Sequence, residues 1–156
     1  MKRLPWKYLA GLIDGEGCID ARITKGVYVS PRLRITMASV AKPVLDMVVN
    51  TCGGNLTHME STNPNWSDKY EWCASTYKTA CPVLRNVVNH LILKKEQARL
   101  FLWMETNIKG RQVGDTVRNA IREELTLMKR DAHRLSEIAQ DRILGMLQSE
   151  TATNVA

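Results

Sequence analysis

The chain has 156 residues, 44% of them hydrophobic, with 22 Lys and Arg against 16 Asp and Glu and a net charge of +6. That length suits one domain with a real core, and no apolar run reaches the ~20 residues that span a bilayer; no secretory leader precedes Pro5, so a soluble protein is expected. The basic balance points to an acidic partner, most often nucleic acid, while Cys18, Cys52, Cys73 and Cys81 form no C-x-x-C pair and stand at no zinc spacing with His58, His90 or His133, which argues against a disulfide framework or zinc site and for a reducing compartment.

Trp6 to Ile13 reads as a short apolar helix that runs into Asp14-Gly15-Glu16-Gly17. The C-terminal end of a helix is the negative end of its dipole, the wrong place for two acids. Such acids call for a cation from outside the sequence, most simply a divalent metal bound by carboxylate and by free helix carbonyls. A bare D-G-x-G is usually a solvated turn. An EF-hand is excluded, because Ile19 stands where its loop glycine belongs and Lys25 where its closing Glu belongs. Gly11 and Gly15 are four apart, on one helix face beside Ala10, and would let two helix backbones approach closely. The motif occurs once, so the partner helix should come from a second copy.

Residues 18–37 alternate with period two, the pattern of an antiparallel hairpin with one wet face and a turn at Lys25-Gly26. Residues 40–51 read as a helix stopped by Gly53-Gly54. A second hairpin joins Asn55–Ser61 to Lys69–Thr76. Further helices are expected over 77–90, from Glu96 to Asn107, after a capping Asp115, and from about Leu135 to Leu147. The small polar tail from Ser149 is expected to fray. The result is one domain over residues 1–148 with a tail at 149–156. Its class is α+β: a four-stranded antiparallel sheet with helices packed on one face.

The polar faces of the hairpins form the second signal. Asp20, Arg22, Thr24, Arg32, Arg34 and Thr36 share one face of the first hairpin, with Lys25, Tyr28 and Ser30 at its tip; Asn55, Thr57, Lys69, Glu71 and Ser75 extend that face on the second. Any one of them could be an ordinary solvated residue. As a set they suit a ribbon that reads DNA, since a two-stranded ribbon fits the major groove and Arg can bond guanine through two donors. Lys94 and Lys95 open a helix, where cations oppose the dipole, and so hint at a negative partner. The three histidines are scattered and read as structural or surface groups, and the tryptophans as core or interface anchors.

Leu9-Ala10-Gly11-Leu12-Ile13-Asp14-Gly15-Glu16-Gly17 closely resembles the signature of the LAGLIDADG homing endonucleases, with Glu16 where that name has its second Asp. The resemblance covers roughly residues 6–135, includes Leu93-Lys94-Lys95-Glu96-Gln97-Ala98 as the later basic segment, and is to the subclass with one motif per chain. It implies a homodimeric, site-specific, metal-dependent endonuclease that breaks both strands of a long pseudo-palindromic DNA target and belongs to an intron- or intein-associated gene, in the cytoplasm of a prokaryote or in an organelle. The implied dimer interface is Leu9, Ala10, Gly11, Leu12, Asp14 and Gly15. The implied metal ligands are the Glu16 carboxylate and the Gly15 carbonyl, with Mg2+ as the ion, Mn2+ as a substitute, and Ca2+ binding without supporting cleavage. Lys94 aligns with a lysine the family keeps near the cleavage centre, Lys42 is a second basic candidate, and Ser39 falls where related chains carry Gln or Asn near the attacking water. Asp14 is assigned to shaping the helix end. The alternative is a chain of the same fold that does not cut: an intron RNA maturase or a DNA-binding protein. Glu16 favours the enzyme, because a pure binder gains nothing from an acid facing phosphate. A helical interaction module leaves both charged hairpin faces unexplained.

Overall fold

The computed structural model describes residues 2–155. Its first helix, α1 (Trp6–Glu16), carries the motif to its end: the helix continues through both acids and stops at Gly17, whose N–H bonds the Ile13 carbonyl. A Cβ on Gly17 would lie 2.6 Å from that carbonyl oxygen, so only glycine lets the chain leave α1 directly into a strand. Leu9, Ala10 and Ile13 form the fully buried side of the helix.

Strand β1 (Gly17–Thr24) pairs antiparallel with β2 (Tyr28–Ala38), with Gly17 opposite Ile35 and Asp20 opposite Arg32. Between them Lys25 and Gly26 both take positive φ, 52° and 72°. This is the combination a type I′ hairpin turn requires. A 3-10 turn (Ser39–Ala41) leads to α2 (Lys42–Cys52), then to β3 (Asn55–Met59) and β4 (Lys69–Ala74). The sheet order is β1-β2-β4-β3. The expected four-stranded antiparallel sheet is therefore present, and its helices are α1, α2, α3 (Tyr77–Val87), α4 (Lys95–Asn107), α5 (Asp115–Arg130) and α6 (Ser136–Val155).

Period two in the strands divides the sheet into an apolar and a polar face. Ile19, Leu33, Ile35, Trp72 and Ala74 are buried in one core with Leu45, Val48, Leu84, Leu100, Phe101 and Met104 from the helices. Trp72 anchors the far side: its indole N–H bonds the Gly53 carbonyl at 2.7 Å. Gly54, with φ 85°, packs so closely on the indole that a Cβ would meet it at 2.7 Å. Buried carboxylates tie down the C-terminal helices. Glu96 accepts the Ser136 N–H at 2.8 Å and so caps α6, and Glu124, with no exposure, is held by Arg134 and Arg142.

One expectation needs correction. Gly114, not Asp115, is the N-cap of α5; Asp115 is the first helical residue, and the Gly114 N–H is taken by the Glu150 carboxylate at 3.2 Å. The segment after Ser149 is helical and continues α6 to Val155. The hydroxyls of Ser149, Thr151 and Thr153 each bond the carbonyl four residues back, which lets these weak helix formers sit in the helix. Among the described residues no helix is long and apolar enough to cross a membrane.

Candidate catalytic end and nucleic-acid interface

At the end of α1 the two motif acids have different fates. The Asp14 carboxylate accepts three backbone N–H groups in a row, from Ile92 at 2.7 Å, Leu93 at 3.2 Å and Lys94 at 3.0 Å. Lys94 is the N-cap of α4. Asp14 therefore sits at the negative end of its own helix and at the positive end of another, and the second placement resolves the first. The cation that the sequence demands for two acids is not needed for this one. Lys94 in turn places its ammonium 2.5 Å from the Asp14 carbonyl, so the lysine that looks misplaced on α4 supplies the cation at the C-terminus of α1.

Glu16 is exposed and has no hydrogen-bond partner among the described residues. Gly15 is exposed beside it, and its carbonyl, in the last turn, has no later helical amide to accept. These are hard oxygen donors open to solvent. Among the described residues no three His, Cys, Asp or Glu side chains converge as a metal cage. An ion held at Glu16 would thus need most of its ligands from water, phosphate or a second copy. That donor set fits Mg2+, which commonly takes one or two carboxylates and completes its shell with water and substrate phosphate.

The outward face of α1 comprises Tyr8, 52% exposed, Gly11, the half-buried Leu12, and Gly15. A Cβ on Gly11 or Gly15 would meet nothing within 4 Å. Ile92 and Leu93, 79% and 55% exposed, lie next to this face because Asp14 holds their amides. Leu9 and Ala10, expected at the interface, have no exposure in the single chain and pack into its own core. The helix phase puts Tyr8 and Leu12, not Ala10, beside the two glycines.

Among the described residues no bond draws Lys42 or Ser39 to the motif end. Lys42 is paired with Asp46 one helical turn on, at 2.8 Å, and stands over the Tyr70 ring. Ser39 is exposed past the end of β2, its N–H on the Asp68 carbonyl.

All the hairpin residues singled out from sequence share the polar sheet face or its rim. The register sets Asp20 opposite Arg32, Arg22 opposite Ser30, Thr24 opposite Tyr28, Thr36 opposite Glu71, and Thr57 beyond Glu71. The centre of the face is a charge network. Arg32 grips Asp20 through Nε and Nη2 at 2.8 and 2.9 Å, and Arg34 reaches the same carboxylate through Nη2 at 3.1 Å. Glu71 lies 3.7 Å from Arg34 and accepts from Thr36 at 3.1 Å. Burial works against ionising Asp20, but the bond from Arg32 and the nearby cations prevail and hold its carboxyl below the usual range. Arg22 donates to Ser75, and the Tyr28 hydroxyl accepts from Gln112. Lys25, Asn55, Thr57 and Lys69 are exposed.

Three features were missed from sequence. Lys129, at the end of α5, reaches the rim of this face, its ammonium 3.7 Å from the Cys18 sulfur. Ile92 and Leu93 are exposed apolar residues at the motif end.

No family model matches the sequence, and no curated protein does. Solved structures do match in fold. The homing endonuclease I-CvuI, in complex with the I-CreI target in the presence of Mg with the DNA not cleaved, superposes with a TM-score of 0.63 at 20% identity, over 90% of this chain and 93% of that one. The same enzyme with its own target in the presence of Ca gives 0.61 at 20% identity, with the same coverage. The LAGLIDADG meganuclease I-AabMI bound to uncleaved DNA gives 0.52 at 16% identity, over 67% of this chain and 38% of that one. With four antiparallel strands, helices on one face and the motif at the end of α1, the chain has the fold of the LAGLIDADG homing endonucleases.

Proposed function

We propose that this chain is a DNA endonuclease that works as a homodimer and cuts both strands of a pseudo-palindromic site with the help of a divalent metal. The observation that carries this is Glu16: the motif acid without a partner among the described residues, exposed at the end of α1, the helix whose Asp14 carbonyl anchors Lys94. Asp14 is fully engaged in holding the N-terminus of α4, which leaves Glu16 as the acid available for chemistry. Glu16 and the Gly15 carbonyl would hold Mg2+, with Mn2+ as a substitute. When bound, the ion supplies Lewis-acid activation of water and of the leaving 3′ oxygen. Lys94, its ammonium fixed on the Asp14 carbonyl, would stabilise negative charge developing on the phosphate.

The α1 face of Tyr8, Gly11, Leu12 and Gly15, with Ile92 and Leu93 beside it, would meet its symmetry mate and bring two Glu16 side chains together. The polar sheet face would lie on the duplex. A strand of ~8 residues at ~3.3 Å each covers roughly eight base pairs, so the dimer should cover a site of about 15–22 base pairs. The test is incubation with the form of its host locus that lacks the inserted element, with and without Mg2+. Mg2+-dependent linearisation at one site supports the reading. Binding without cleavage under any divalent ion would favour a non-cutting DNA binder or an intron RNA maturase.

A further inference from the structure

On the sheet face Arg32, Arg34 and Arg22 look equivalent in sequence but are not equivalent in geometry. An arginine offers two edges that can each make a pair of parallel bonds: one through Nε and Nη2, the other through Nη1 and Nη2. Arg32 gives its first edge to Asp20, directly opposite on β1, at 2.8 and 2.9 Å. Its second edge has no partner among the described residues, and planarity turns that edge away from Asp20. Arg34 has no edge left. Its Nη2 is on Asp20 and near the Cys18 sulfur, its Nη1 faces Glu71, and its Nε is buried without an acceptor. Arg22 has one bond, to the Ser75 hydroxyl, which does not fix the plane of its guanidinium.

From this we infer that Asp20 and Arg32 form a preset reader of guanine, with Arg32 presenting its free edge to the O6 and N7 atoms in the major groove and Asp20 acting as its positioning residue. Arg34 is a cross-link between Asp20 and Glu71, not a base reader. The inference rests on the proposal that this face binds DNA. The chemistry is that of any fixed fork. A carboxylate that holds one edge removes the rotamer freedom that a loose arginine loses on binding, and the remaining edge matches guanine and no other base in the major groove. It also accounts for an acid in the middle of a face that would meet phosphates. A charge that only repelled DNA would cost affinity, whereas one that aims Arg32 exchanges affinity for selectivity.

The experiment is selection from a randomised duplex library at low salt in Ca2+, with sequencing of the retained DNA, alongside thermal melting of each variant to establish that it is folded. Wild type is expected to enrich duplexes with guanine at one symmetric pair of positions. Arg32→Lys keeps the charge and loses the fork, so it should lower that preference about 10-fold or more while still retaining DNA. Asp20→Asn should raise total retention, because a negative charge is gone, and weaken the same guanine preference. Arg34→Lys should leave that preference in place. Guanine preference unchanged in Arg32→Lys overturns the inference, as does an Asp20→Asn variant that gains affinity with its preference intact. Failure of wild type to retain any duplex would instead overturn the DNA-binding proposal on which the inference stands.

Discussion

Asp14 and Lys94, 80 residues apart, hold each other twice: the Asp14 carboxylate accepts the Lys94 N–H at 3.0 Å, and the Asp14 carbonyl accepts the Lys94 ammonium at 2.5 Å. This reciprocal clasp joins the end of α1 to the start of α4. It makes Asp14 a structural acid and anchors Lys94 at the end of α1. Replacing Asp14 by Ala frees three amides at the α4 N-terminus and should cost about 2 kcal/mol in urea unfolding. Lys94→Met removes only the cation at the α1 C-terminus and should cost about 0.5–1 kcal/mol. Equal costs for the two would mean that the clasp is not asymmetric in this way.

The motif glycines should separate folding from assembly. Gly17→Ala forces a Cβ to within 2.6 Å of the Ile13 carbonyl, backbone that cannot yield without moving α1, and should cost about 2 kcal/mol or more. Gly11 has open space around it. Gly11→Val should leave the single chain folded, yet sedimentation equilibrium should show a dimer for wild type and a monomer for the variant. A Gly11→Val protein that sediments as wild type does would remove α1 as the interface.

Glu124 should make the C-terminal helices acid-sensitive. The bond from Arg134 comes first among the causes that hold its carboxyl below its ordinary value of 4.5; burial works the other way and Arg142 adds to Arg134. A carboxyl depressed in the folded state contributes stability above its unfolded value and loses it as pH falls through its folded value. The loss should therefore begin below about pH 4.5. Glu124→Gln leaves two arginines facing a neutral group and should cost about 3 kcal/mol at neutral pH. It should also flatten the decline of stability on acidification, as read from urea midpoints across pH.

How much was legible in the sequence depended on how local the cause was. The hairpins were readable because alternation is a property of neighbours, and the register then placed Asp20, Arg32 and Glu71 on one face as expected. The two acids were readable as an anomaly at a helix end but not as two different cases. The amides that satisfy Asp14 come from residues 92 to 94, and no local pattern announces them. Lys129 is 111 residues from the thiol it touches and was invisible for the same reason. The side of α1 that the core takes was not legible from the motif alone: Leu9 and Ala10 are buried, while Tyr8 and Gly11 are exposed. The C-terminal end of α6 was missed because its serine and threonines look like loop formers until their hydroxyls find carbonyls four residues back.

The central claim is that Glu16, not Asp14, is the catalytic acid, and it is tested by comparing wild type with Glu16→Gln on one cognate duplex. Strand cleavage is followed in Mg2+, and DNA binding is titrated in Ca2+. Glu16 is exposed and has no partner among the described residues, so the variant should fold within about 0.5 kcal/mol of wild type. Removal of a carboxylate from the negative end of α1 should leave binding unchanged or tighter. The account predicts a folded, DNA-binding protein that no longer cuts either strand; cleavage by Glu16→Gln at the wild-type rate would contradict it.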